Sequence, residues 1–157
     1  MYLISHRGNI NGRIPERENA PDYILEAIEA GYYCEVDIFG KVDGSLWLGH
    51  DGPQYKTDSS FLNNPKILCH CKNKLAIDNL NGWGIHWFWH NIDDYTMTSQ
   101  GWVWSYPNKP SAGHNCIATL PPIHLDVSEY AGVCSDYIGQ YKDCLLYTSP
   151  SPRDRSS

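Results

Sequence analysis

Several things are missing from this 157-residue chain. No apolar run approaches the roughly 18 residues that a membrane-spanning helix needs, so no span is expected. There is no basic surplus. Twelve Lys and Arg face eighteen Asp and Glu, for a formal charge of −6. General nucleic-acid binders and binders of anionic membranes carry basic patches, so neither class is expected. Charged residues make up only 19% of the chain, while 13% is aromatic. That balance excludes a disordered chain, a coiled coil and a collagen-like fibre. No repeated unit and no low-complexity segment interrupts the first 140 or so residues, so a solenoid and a linker-divided chain are excluded as well. No basic segment with a long apolar stretch precedes Tyr2-Leu3-Ile4-Ser5, and a cytoplasmic product is the expectation. In that setting the six cysteines (Cys34, Cys69, Cys71, Cys116, Cys134 and Cys144) read as reduced thiols rather than a disulfide framework.

The segment from Cys144 to Asp154 resembles the in-frame translation of a sequencing-library adaptor. The alternative is a native Ser/Pro-rich disordered tail. On either reading the folded unit is residues 1–143, and residues 144–157 are a non-native or disordered tail. Without that tail the cysteine count is odd, which further weakens a disulfide reading.

Eight candidate strands follow, near residues 4, 36, 48, 69, 87, 104, 118 and 134. Most end in a polar cluster. Pro21 suits a first helical position with Asn19 as its cap, and apolar residues at helical spacing run to a stop at Gly31. Short helices are expected around 59–62 and 75–80, and residues 94–99 read as a turn or short helix. Strands ending in polar clusters are the pattern of a parallel α/β barrel, which carries function at the strand C-terminal ends. Such barrels use about 250 residues, or about 31 per strand–helix unit, against about 18 here. The expected fold is therefore an α/β, miniature (β/α)8 TIM-like barrel with most crossover helices shortened or absent. A partner chain covering bare strand faces would fit that shortage.

The chemistry sits in an ordered set: His6-Arg7-Gly8, Glu18-Asn19, Glu35-Val36-Asp37 and His50-Asp51. Strand alternation puts Glu35 and Asp37 on one face, where two close carboxylates call for a cation. Oxygen ligands suit Mg²⁺ or Ca²⁺. Imidazole ordinarily changes charge near neutral pH, so His6 and His50 are candidates for acid/base work, and Arg7 offers a fork for phosphate oxygens. Glu18 has three candidate tasks: to orient Arg7, to orient His6, or to reach the metal. In this order and at strand ends, the set resembles the glycerophosphodiester phosphodiesterase family. The likeness is densest over residues 4–51 and looser through Cys71-Lys72-Asn73 and 132–138, where Gly132-Val133-Cys134-Ser135-Asp136-Tyr137 is similar to the family's closing strand.

The resemblance implies metal-dependent hydrolysis of a small glycerophosphodiester-like substrate, of the kind met in lipid metabolism. It implies Glu35 and Asp37 as metal ligands, His6 and His50 as acid and base, and Arg7 and Lys72 as phosphate binders. A neighbouring substrate hydroxyl would attack first, and water would open the cyclic phosphate. One departure matters. The family's third metal ligand is a glutamate two residues before the lysine, and here that position is His70. Histidine as third ligand shifts preference toward Mn²⁺ or Zn²⁺.

Glu18, His90 and Trp104 are further candidates for the substrate pocket, with Tyr106 beside Trp104. His86 reads as structural, and Cys69 and Cys71 as packing on the face away from His70. Two rival functions remain: a phosphodiester lyase that stops at the cyclic phosphate, and a non-catalytic phosphate- or metal-binding module. A purely structural domain would leave the strand-end cluster without a purpose, since buried polar groups are costly.

Overall fold

The structure is a computed structural model that describes residues 1–80 and 84–142. The chain alternates strand and helix through its first half: β1 (Tyr2–His6), α1 (Pro21–Glu29), β2 (Tyr33–Gly40), β3 (Leu46–Leu48), β4 (Tyr55–Thr57), α2 (Ser59–Leu62), β5 (Ile67–Cys71) and α3 (Lys74–Leu80). The second half is almost all strand: β6 (Trp87–Phe88), β7 (Tyr95–Met97), β8 (Val103–Ser105), β9 (Cys116–Thr119) and β10 (Gly132–Ser135), followed by helical residues 138–142. All ten strands belong to one sheet. Residue 143 and the tail from Cys144, with its adaptor-like sequence, lie outside the described residues. Among the described residues no helix is long and apolar enough to cross a membrane.

Seven strands run parallel in the order β6-β5-β2-β1-β10-β9-β8. The expectation of shortened or absent crossover helices holds here: α1 has nine residues, α2 four and α3 seven. No helix is described between β8 and β9, or between β9 and β10. The strand near residue 48, expected as one of eight parallel strands, is instead antiparallel to β2, with Ile38 opposite Leu48 and Gly40 opposite Leu46. A parallel neighbour needs a crossover of a dozen or more residues, and the short turn around Asp43-Gly44 permits only a hairpin. β4 continues that hairpin, and β7 pairs antiparallel with β8 where a turn or short helix was expected.

The parallel run is not closed by a backbone ladder, since β6 and β8 do not pair among the described residues. Their side chains nevertheless meet. The rings of Phe88 (β6) and Trp104 (β8) lie 4.7 Å apart. Ser99 N donates to Trp87 O at 2.7 Å, and Ser99 Oγ accepts from Trp87 N at 2.9 Å. One apolar cluster gathers Ile4, Leu68, Phe88, Trp104, Ile117 and Cys134, from six of the seven parallel strands. The sheet therefore rolls around a shared interior. A second cluster lies on the outer face of β2 and β5, where Cys34, Val36, Ile38, Cys69 and Cys71 pack under Ile24 of α1 and Leu80 of α3. Strand alternation thus turns Cys69 and Cys71 away from His70, as expected. The five cysteines described are free and buried.

Helix α1 starts at Pro21 and buries Tyr23, Ile24 and Ala27. Gly31 follows with φ 101, a left-handed geometry that ends the helix. The N-cap is Ala20 rather than Asn19. Asn19 is committed elsewhere.

Candidate functional site

The site forms at the C-terminal ends of β1, β2, β5, β6, β8 and β10. Arg7 (φ 61), directly after β1, and Asn19 (φ 67), two residues before α1, take left-handed backbone. Arg7 N donates to Glu35 O at 2.8 Å and Asn19 N to Arg7 O at 3.0 Å, which fixes the three sequence motifs against one another. Gly8, at φ 99, has no side chain because the ring of Tyr23 occupies that space.

Glu35 and Asp37 point inward from β2, 2% and 0% exposed. Asn19 clamps Asp37 from two sides: its Nδ2 donates to Asp37 Oδ2 and its Oδ1 accepts from Asp37 N, both at 2.9 Å. Arg7 Nε lies 2.9 Å from Asp37 Oδ2 but is not aligned to donate to it. His70 faces both acids across the β2–β5 ladder. Its Nδ1 is 3.5 Å from Glu35 Oε2 and 3.5 Å from Asp37 Oδ1. Its Nε2 lies 2.9 Å from His90 O, a contact that suits an Nε2–H donor and leaves Nδ1 facing the carboxylates. The ring stacks on Phe88 at 4.7 Å and 12°.

Burial alone would lower the His70 imidazolium, but contacts with Asp37 and Glu35 outweigh burial and raise it. Burial alone would raise the Asp37 carboxyl, but His70, Arg7 and Asn19 outweigh it and hold it low.

These three residues could hold a divalent cation. One ligand atom from each of Glu35, Asp37 and His70 lies within 4.8 Å of the others. Glu35 Oε1 and Asp37 Oδ1 are buried without a hydrogen-bond partner. Buried carboxylate oxygens are normally satisfied, and a shared cation satisfies such atoms. The mixed O,O,N set fits Mn²⁺ or Zn²⁺ as well as Mg²⁺.

His6 is tied to the closing strand. Its Nδ1 is 2.7 Å from Asp136 Oδ1, so the other ring nitrogen, Nε2, is left for the cavity. Burial alone would lower the His6 imidazolium, yet the Asp136 hydrogen bond and the charge of Glu35 outweigh it and raise it. Asn9 Nδ2 braces the arrangement, donating to Asp136 Oδ1 at 2.9 Å and to Glu18 Oε2 at 2.8 Å.

A cavity of about 170 Å³ brings together His6, Arg7, Glu35, His50, His70, Lys72, His90 and Trp104. These are eight of the ten site residues expected from sequence. Asp37 is fully buried and is not among the lining residues. Glu18, a candidate for the substrate pocket, lines a neighbouring cavity of about 240 Å³ that shares Arg7 and His50. There it accepts from Arg7 Nη1 at 3.3 Å and Arg13 Nε at 3.0 Å, contacts that suit the first of its three candidate tasks, orienting Arg7. His50 is half-exposed, with Nδ1 2.8 Å from Asp51 Oδ1. His86, expected to be structural, is buried, with Nε2 2.6 Å from Thr98 Oγ1. Asp136, Asn9 and Asn19 were not anticipated in these roles. The signal for Asp136 was its place at the C-terminal end of the last strand.

Compared with known protein families, with curated proteins and with solved structures, the chain gives no match.

Proposed function

We propose that the chain is a divalent-metal-dependent phosphodiesterase acting on a small glycerophosphodiester-like substrate. Its rolled sheet is then a helix-poor barrel of the glycerophosphodiester phosphodiesterase kind. The observation that carries this reading is the pair of buried, unpartnered carboxylate oxygens on Glu35 and Asp37. Asp37 Oδ1 lies 3.5 Å from His70 Nδ1, and Glu35 and His70 line a cavity that also holds His6, His50, Arg7 and Lys72.

Glu35, Asp37 and His70 would hold the cation, which supplies neutralising charge for the phosphoryl oxygens. Arg7, braced by Glu18, and Lys72 add positive charge to the cavity lining. His50, beside Asp51, accepts the proton of the attacking hydroxyl. His6 enters as the imidazolium that Asp136 favours, and its Nε2 proton passes to the departing alkoxide as the phosphorus–oxygen bond breaks. The roles reverse when water opens a cyclic phosphate.

A second reading has its own support. The His70 imidazolium, 3.5 Å from each carboxylate, together with Arg7 beside Asp37 balances the two acids without any metal, which suits a non-catalytic phosphate-binding module. Release of alcohol from a glycerophosphodiester with Mg²⁺, Ca²⁺ or Mn²⁺ separates the two. The phosphodiesterase reading expects metal-dependent turnover that falls about 100-fold or more in Glu35→Gln and His6→Ala. Absence of turnover with every metal would favour the binding module. Phosphorus NMR of the products decides hydrolase against lyase: a stable cyclic phosphate with no linear monoester defeats the hydrolase.

A further inference from the structure

The cavity has two unlike walls. One carries the imidazole and charged groups described above. The other is built by Trp104, Tyr106, Pro107 and Leu120. Phosphodiester chemistry needs only the first. The second offers apolar surface to the cavity: Tyr106 and Leu120 are 38% and 43% exposed beside it. Leu120 also takes φ 45, left-handed backbone that a leucine seldom adopts. Its N–H donates to Cys134 O at 2.8 Å, so the strained residue is pinned to the sheet. Backbone strain of this kind concentrates at ligand-contacting positions. Behind it, Trp104 is fixed against Phe88, and Tyr106 stands edge-on to His90 at 6.0 Å.

The neighbouring cavity, about 240 Å³, shares Arg7 and His50 with the first and is lined by polar groups such as Arg13 and Gln54. A phosphate at Arg7 and His50 therefore has polar room for one ester substituent and apolar room for the other. Resting on the phosphodiesterase reading, we infer that the substrate is an amphiphilic phosphodiester. Its polar alcohol lies toward Arg13 and Gln54, and an alkyl or aryl substituent lies on Trp104, Tyr106 and Leu120.

The test uses the full chain and the methyl, octyl and phenyl esters of glycerol phosphate. Each buried methylene is worth up to about fourfold in affinity, so the octyl ester should show a KM at least about tenfold below the methyl ester. Leu120→Asn removes the apolar surface, and asparagine tolerates left-handed backbone. This variant should bring the two KM values to within about threefold. Equal KM values in the parent protein, or an unchanged ratio in Leu120→Asn, would overturn the inference. The phenyl ester separates an aryl from an alkyl substituent.

Calorimetric binding of octyl phosphate and methyl phosphate reads the same wall without turnover. Preference for octyl phosphate with no diester hydrolysed would refute the catalytic reading and support the apolar wall. Equal affinities would refute the wall itself. A dimer that Leu120→Asn dissociates would overturn the inference in favour of a second copy. So would co-sedimentation with phosphatidylcholine vesicles without octyl preference, in favour of a membrane surface.

Discussion

Replacing Asp136 by asparagine tests the pairing that the sequence least announces. Asp136 Oδ1 lies 2.7 Å from His6 Nδ1 and accepts from Asn9 Nδ2 at 2.9 Å. The His6–Asp136 contact is a charge-assisted hydrogen bond, and such bonds are worth about 1.5–3 kcal/mol. Asparagine keeps the volume and loses the charge. Burial, which pulls the His6 imidazolium down, is then opposed only by Glu35 and aided by Arg7. His6 should therefore titrate at lower pH in Asp136→Asn than in the parent. The proton donor becomes scarcer at neutral pH, and 1.5–3 kcal/mol corresponds to a loss of about 10- to 150-fold in kcat. KM for a small diester should move much less.

The stability sign follows from the same shift. A histidine raised on folding stabilises the protein below its unfolded-state value, and that contribution fades as pH rises through the folded value. Asp136→Asn should flatten that dependence. The assays are NMR titration of the His6 ring carbons and the pH profile of kcat. A His6 titration unchanged in the variant, or a pH profile unmoved by it, would refute the assignment of Asp136 as the group that positions and charges His6.

Other perturbations have equally definite outcomes. His86 is 6% exposed, and burial pulls it down to about 4 from an ordinary 6.5. Its neutral form is the one that folds, so stability should fall as pH drops from about 6.5 toward 4, by on the order of 3 kcal/mol, and His86→Gln should lose that slope in urea melts. Gly8→Ala forces a side chain into left-handed backbone and into the Tyr23 ring, and should cost about 2–4 kcal/mol in chemical denaturation. His70→Glu replaces the one nitrogen ligand with oxygen. Titration of the metals should then show preference moving from Mn²⁺ and Zn²⁺ toward Mg²⁺ and Ca²⁺, and an unchanged order would remove His70 from the metal set.

What could be read from the sequence was what strand alternation dictates. Glu35 and Asp37 had to share a face, as did His70 and Lys72, and the parallel strands bring those faces to one rim. Helix shortage was also legible, because chain length per strand left no room for it. The direction of β3 followed from the brevity of its turn, a constraint that counting strands overlooks. β4 and β7 are three-residue strands, each laddered along one side, and their sequences carry too little apolar alternation to declare themselves. The His6–Asp136 pair spans 130 residues and is created only when β1 and β10 align with Ser5 opposite Ser135. Glu18 lies close to Arg7 in sequence, but its choice of partner depends on Asn9 and Arg13, which only the loop's folded path brings near.

The account rests on one divalent cation seated among Glu35, Asp37 and His70. Diffraction from crystals soaked in Mn²⁺, recorded at an anomalous wavelength, examines that directly. The account predicts a single strong peak in contact with Glu35 Oε1, Asp37 Oδ1 and His70 Nδ1, and its loss in Glu35→Gln. A soaked crystal with no peak there, and the His70 ring still 3.5 Å from both carboxylates, would contradict it.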